Sequence, residues 1–114
     1  MPVLTDTEKK VRKEAKRLHD LFRDLDPNKL STAEALIERA AFITVSIQEL
    51  EEQLNLTGWV EPYQNGKNQM GLKKSAAADV HISLTKNLTA VLKPLLEMVP
   101  KTQKESRLQA LMNQ

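Results

Sequence analysis

The 114-residue sequence contains no cysteine, which excludes disulfide bonds, thiolate nucleophiles and cysteine-ligated zinc. Aromatic residues make up only 4% of it, so the core must be built from Leu, Val, Ile and Ala. Such a composition favours helices over a β-sandwich, whose strands are rich in aromatic and β-branched residues. No uncharged run is long enough to cross a bilayer, and the N-terminus has no apolar signal-peptide core. We therefore expect one soluble, intracellular, all-α domain over residues 1–114.

Histidines and glycine-rich loops are scarce as well, and with them the residue sets that enzymes and cofactor sites require. His19 and His81 are the only histidines, and neither is accompanied by further metal ligands at helical spacing. Asn65-Gly66-Lys67 does not by itself make a phosphate-binding loop. We therefore expect a protein that is not an enzyme and holds no metal or cofactor.

What the sequence does contain is apolar residues at helical spacing. Thr5 to Glu8 has the form of a capping box, and apolar residues from Val11 to Leu25 follow at steps of four and three. This pattern predicts a helix over residues 7–25. The helix is expected to end at Asp26-Pro27-Asn28, because proline cannot continue the backbone hydrogen bonds.

The longest pattern follows a second capping box at Ser31 to Glu34 and predicts a helix over residues 31–57, capped by Gly58. The short turn before it predicts that the two helices form a long antiparallel hairpin. Regular steps of four and three residues place an apolar stripe on the second helix, for the core or for a contact between copies of the chain. The residues assigned to this stripe are Leu36, Ile43, Ile47, Leu50 and Leu54.

Residues 59–72 interrupt the helical period. Asn65-Gly66 is a preferred dipeptide of two-residue hairpin turns. One interpretation is therefore a β-hairpin with strands over residues 60–64 and 67–72, in which Pro62 lies on the free edge. An irregular loop is the other interpretation.

The last part of the chain predicts two further helices. Ser75 can cap a helix over residues 76–98, in which Pro94 is expected to cause a kink or a break. A third capping box, Thr102 to Glu105, predicts a short C-terminal helix over residues 102–112.

The charged residues are unevenly distributed, although the net charge is only +2. Residues 30–62 have a net charge of −5, whereas residues 63–114 have a net charge of +5. A cluster of cations lies on the first predicted helix and consists of Lys9, Lys10, Arg12, Lys13, Lys16 and Arg17. Most of them share a broad face away from the apolar stripe, where they can contact several phosphates of a nucleic acid. A solvated helix face is the alternative interpretation.

A second basic cluster consists of Lys67, Lys73 and Lys74. Lysines at a helix N-terminus oppose the helix dipole, so Lys73 and Lys74 indicate an anionic partner. We reject the usual helix-turn-helix arrangement, because its second helix should be basic and residues 31–57 have five acids and one arginine.

One part of the sequence resembles a known family. The segments that carry the resemblance are Gly58-Trp59-Val60-Glu61, the following YQNGKNQMGLKKS, Leu84-Thr85-Lys86-Asn87 and the Leu95–Pro100 close. They resemble the small subunits of tailed-phage terminases over roughly residues 31–108, where Ser106-Arg107-Leu108 corresponds to an arginine-containing tail. Pro94 and the long spacing from Pro100 to Arg107 depart from the family's pattern.

The resemblance implies a role in viral DNA packaging. Small terminase subunits recognise viral double-stranded DNA, assemble as rings of identical subunits and stimulate a large subunit that holds the ATPase and nuclease. On this basis we expect a homo-oligomeric DNA-recognition and packaging-adaptor protein in the cytoplasm of the host cell. Its partners are then viral DNA and the terminase large subunit, with no membrane contact. The alternative is a small helical protein-interaction module without nucleic-acid binding.

Overall fold

The computed structural model of the chain describes residues 3–64, 66–67, 69–99 and 109–113. The described chain is mostly helical with one small antiparallel sheet, which confirms an all-α fold with a β-hairpin. In chain order the elements are α1 (Asp6–Leu21), α2 (Pro27–Thr57), β1 (Val60–Gln64), β2 (Met70–Lys74) and α3 (Ala76–Glu97). Residues 109–112 are helical as well.

Helix α1 begins with the predicted capping box and ends earlier than predicted. The Thr5 hydroxyl accepts the backbone N–H of Glu8, and the Glu8 carboxylate accepts that of Thr5, both at 3.1 Å. The helix stops at Leu21, not at residue 25, and the N–H of Phe22 closes its last turn. Leu25 is buried nevertheless. The apolar residues at helical spacing thus extend past the end of the helix, into a turn that is not helical.

Helix α2 begins at Pro27 and not at residue 31, which corrects the predicted start. The Asp26 side chain accepts the N–H of Asn28 at 2.9 Å, so Asp26 is the N-cap. Proline fits the first helical position because its missing N–H would have no partner there and its φ is already helical. The capping-box sequence at Ser31 to Glu34 therefore lies inside the helix. The end of α2 at Thr57, followed by Gly58 with a φ of 99°, is as predicted.

Helices α1 and α3 both pack antiparallel to α2. The Thr7 hydroxyl donates to the Glu49 carboxylate at 3.0 Å, which joins the start of α1 to the second half of α2. The His81 ring lies 3.0 Å from the Glu51 carboxylate, which joins the start of α3 to the same half. The main core forms where the other ends of the three helices meet. Its buried members are Leu18, Phe22, Leu25, Ala33, Ile37, Ala40, Ala41, Leu95, Val99 and Leu111.

Helix α3 continues through Pro94 to Glu97. The sequence had predicted either a kink or a break at Pro94, and the helix does not break there. Proline removes only one backbone hydrogen bond this close to a helix end. The last turn is held by Leu95 and Val99, which are both buried in the core. Of the C-terminal helix predicted over residues 102–112, only 109–112 lie among the described residues, where Leu111 is buried against the core.

Strands β1 and β2 form the hairpin rather than the irregular loop. Val60 pairs with Lys74, Pro62 with Leu72 and Gln64 with Met70. The second strand thus lies over residues 70–74 instead of 67–72, so the connection is longer than the predicted two-residue turn. Tyr63 packs on Gly71, where an added Cβ would lie 2.8 Å from the tyrosine ring. The absence of a side chain at Gly71 therefore lets the tyrosine ring lie directly over the second strand.

The molecule is extended for its size. Its radius of gyration is 18.3 Å, against about 13 Å for a compact chain of this length. Its accessible surface is 8479 Å², which exceeds by about 2,200 Å² the area usual for a monomer of 12.9 kDa. Among the described helices, none combines the length and the apolar character that a membrane crossing requires.

Candidate nucleic-acid interface

Helix α1 holds a row of basic side chains on the side opposite its buried stripe. Lys9, Lys13 and Lys16 follow one another at steps of four and three, so they share one helix face. All three are exposed, whereas Leu18 of the same helix and Phe22, which directly follows it, are buried in the core. Packing of the apolar stripe against α2 therefore fixes the lysines toward solvent.

The exposed cations of α1 are not neutralised locally. We define the α1 basic face as Lys9, Lys10, Arg12, Lys13 and Lys16. None of the five forms an ion pair with another residue in the part of the chain that the structure describes. From Lys9 to Lys16 the face extends about 10 Å along the helix, which matches several phosphates of a DNA duplex.

Arg17, the sixth cation of α1 predicted to contact nucleic acid, differs from the other five because it is partly buried and paired. Its guanidinium makes two hydrogen bonds to the Glu14 carboxylate, at 2.5 and 3.0 Å, and both side chains are partly buried. The pair lies beside an open groove between α1 and α2, to which Val45 and Gln48 contribute. Because Glu14 balances its charge, Arg17 contributes less to the positive potential than the α1 basic face does.

The second predicted cluster, on and beside the hairpin, is largely neutralised within the chain. Lys73 lies 3.5 Å from Glu61, its partner across the two strands, and Lys74 lies 3.1 Å from Asp79. Asp79 is in the first turn of α3, where a carboxylate also interacts favourably with the helix dipole. The lysines before α3 therefore have an internal counterion, which weakens the argument that they indicate an external anion. Lys67 is exposed in the connection.

The two basic clusters lie toward the same end of the molecule but form separate surfaces. The bond between Thr7 and Glu49 places the start of α1 beside the second half of α2. From Glu49, α2 continues for about 12 Å to Thr57, and the hairpin follows beyond that point. The structure thus does not merge the predicted contacts into one site.

The five stripe residues of α2 are at least partly buried within one chain. Ile43 and Leu54 are buried, and Leu36, Ile47 and Leu50 are half-buried. Burial of this kind is what core positions require, and it leaves little of their surface for a second copy.

The sequence interpretation missed an apolar surface on the hairpin. Residues that pair across two strands point to the same side of the sheet, so Val60, Pro62, Met70 and Leu72 share one side. All four are exposed to solvent. The alternation of apolar and polar residues in VEPYQ and MGLKK was the available signal, but alternation alone does not say whether the apolar side is covered.

The described residues offer little to a metal ion or a small ligand. Within them, no three His, Cys, Asp or Glu side chains lie close enough together to hold a metal. A cavity of about 240 Å³ between α1, α2 and α3 is lined mainly by apolar residues such as Leu18, Ile47 and Leu88. The cation at its edge, Arg17, is already paired with Glu14.

Comparison of the chain with protein-family models, with curated proteins and with solved structures finds no match.

Proposed function

We propose that the protein binds double-stranded DNA through the α1 basic face and acts as a homo-oligomeric adaptor. The observation that carries this proposal is the set of five exposed cations on α1 that form no ion pair with any residue the structure describes. Unpaired lysines and arginines at this density favour a polyanion, since each phosphate contact releases condensed counterions. The packaging-adaptor role, with viral DNA and a terminase large subunit as partners, is supported by the family resemblance alone.

The chemistry of the face favours contacts to phosphates over contacts to bases. Four of its five members are lysines, which act as flexible point charges, and only Arg12 has the planar donor pair that reads guanine. The side of α1 opposite the face is packed against α2, so the helix meets DNA as a charged ridge. We therefore expect a single copy to discriminate weakly between sequences, because phosphate contacts position a protein and carry no sequence information.

A salt series on a fluorescent DNA duplex tests the proposal. The variant Lys9→Ala/Lys13→Ala/Lys16→Ala should bind more weakly than the parent protein. Its slope of log affinity against log salt should become shallower by about 0.9 for each phosphate that the variant no longer neutralises, and thus by up to about 2.7.

The matched control for this experiment removes the same charge elsewhere. Lys29, Lys86 and Lys93 are exposed lysines outside α1, and changing all three to alanine should leave the slope close to that of the parent. Equal slopes for the two triple variants would show that binding follows total charge, and the assignment to α1 would then be wrong. If the parent protein itself shows no salt-dependent binding, the DNA-binding function is wrong.

A protein-interaction module without DNA binding is the second candidate, and the apolar side of the hairpin favours it. Such a module would bind its partner equally well at low and high salt, because apolar contact is not screened by ions. Absence of DNA binding in the salt series, together with intact folding by circular dichroism, would favour this candidate.

A further inference from the structure

The apolar side of the hairpin is exposed to solvent. Met70 is 77% exposed and Leu72 is 72% exposed, and they adjoin Val60 and Pro62 on the same side. A two-stranded hairpin is at best marginally stable in water by itself and gains stability when one side packs against another element. The hairpin therefore has an apolar side that the other described residues leave open.

A second open apolar surface lies between the start of α1 and the middle of α2. There Val3, Val11 and Phe42 contribute to a groove of about 530 Å³. Val3 is 86% exposed and Phe42 is 51% exposed, so none of the described residues covers these apolar side chains of the groove. We call it the Phe42 groove.

The hairpin cannot fill the Phe42 groove of the same molecule. Phe42 lies fifteen residues before the end of α2 at Thr57, which corresponds to about 22 Å of helix, and the hairpin follows beyond that end. We propose that the hairpin of one copy of this chain occupies the Phe42 groove of the next copy. Met70 and Leu72 then pack against Phe42 and Val3 of the neighbouring molecule.

The charges around the two surfaces are complementary. Lys73 and Lys74 are paired with Glu61 and Asp79, so Lys67 is the cation of the hairpin that has no counterion among the described residues. The Phe42 groove is lined by Glu8 and Glu38 against a single cation, Arg12. Opposite potentials of this kind fix the orientation of two surfaces, while the apolar contact supplies most of the affinity.

The exposed area supports two such contacts per copy. A stable interface buries about 800 Å² on each partner, so a copy that uses both its hairpin and its groove buries about 1,600 Å². The accessible surface exceeds that of a compact monomer by about 2,200 Å², which is enough for both. Because donor and acceptor surfaces differ, a contact made in one direction only is head-to-tail and generates a closed ring or an open chain of copies, whereas a reciprocal exchange of hairpins gives a two-fold dimer.

This inference rests on the homo-oligomer of the proposed function, and mixing two variants tests it without DNA. Leu72→Glu disables the hairpin and keeps the groove, whereas Phe42→Glu disables the groove and keeps the hairpin. Each variant alone should be monomeric by light scattering. An equimolar mixture should form a one-to-one dimer and nothing larger, because one intact hairpin meets one intact groove and the other two surfaces are disabled.

The control variant is Met112→Glu, which changes another exposed apolar residue and should leave the oligomer intact. If Phe42→Glu alone still forms oligomers, the hairpin binds somewhere other than the Phe42 groove. If the mixture of the two variants stays monomeric, the hairpin and the groove do not meet. Either result overturns the proposal. Circular dichroism on every variant excludes misfolding as the cause.

A charge exchange gives a second, independent measurement. Glu38→Lys and Lys67→Glu should each weaken the oligomer at low salt, and the double variant should recover part of the loss. No recovery would contradict the proposed orientation. DNA binding is measured separately, so an oligomer that fails to bind DNA would leave this inference standing and overturn only the DNA-binding function.

Discussion

Leu72 and Leu95 are the same residue type in opposite surroundings. Leu95 is completely buried in the core, and Leu72 is 72% exposed on the hairpin. Leu95 lies on the face of α3 that packs against the core. No sequence pattern predicts whether Leu72 is buried or exposed. Two apolar residues in a short strand are equally consistent with a side of the sheet that is packed against the protein and with one that faces solvent.

The contrast predicts different costs for the same substitution. Leu95→Ala should lower the free energy of unfolding by about 2–5 kcal/mol, because it leaves a cavity that the three helices cannot close. Leu72→Ala should change the stability of the monomer by less than about 0.5 kcal/mol. Urea unfolding at low protein concentration measures both values. A large loss for Leu72→Ala in the monomer would mean that the hairpin side is covered by its own chain.

The helix ends show where sequence patterns are sufficient at the scale of an element and where they are not. The capping box at Thr5 and the glycine after Thr57 were predicted correctly, because each satisfies backbone groups with residues close in sequence. Asp26-Pro27 was misassigned, since the same dipeptide can end one helix or start the next. The position of β2 was predicted three residues too early at its start, because spacing within one strand does not reveal which residues of the two strands pair.

The corrected start of α2 yields a test at the same scale. Asp26→Ala should destabilise the protein by about 0.5–2 kcal/mol, because it removes the N-cap that accepts the Asn28 N–H. Ser31→Ala should have almost no effect, since Ser31 is exposed inside the helix and caps nothing. Urea unfolding of the two variants decides between the starts: a larger effect at Ser31 would restore the start predicted from the sequence.

The shape of the whole molecule joins the two proposals. Spacing in the sequence predicts which helices form, but the extent of the remaining exposed surface depends on how far the helices and the hairpin extend past one another. That surplus surface suits a chain that completes its packing with neighbouring copies. Copies held head-to-tail each present the four lysines of the α1 basic face, while Arg12 lines the occupied groove. Linked binding sites gain affinity because later contacts form within a complex that is already bound.

Oligomer formation should therefore control DNA affinity without any change in α1. At fixed salt, Leu72→Glu should weaken DNA binding by about 100-fold or more, since a monomer has one basic face in place of several. Its salt slope should also become shallower, because fewer phosphates are contacted by each complex. Met112→Glu adds the same negative charge and should leave both quantities unchanged. If Leu72→Glu is monomeric and yet binds DNA with the affinity and slope of the parent protein, one copy must supply all the contacts, and the adaptor would not need its neighbours to hold DNA.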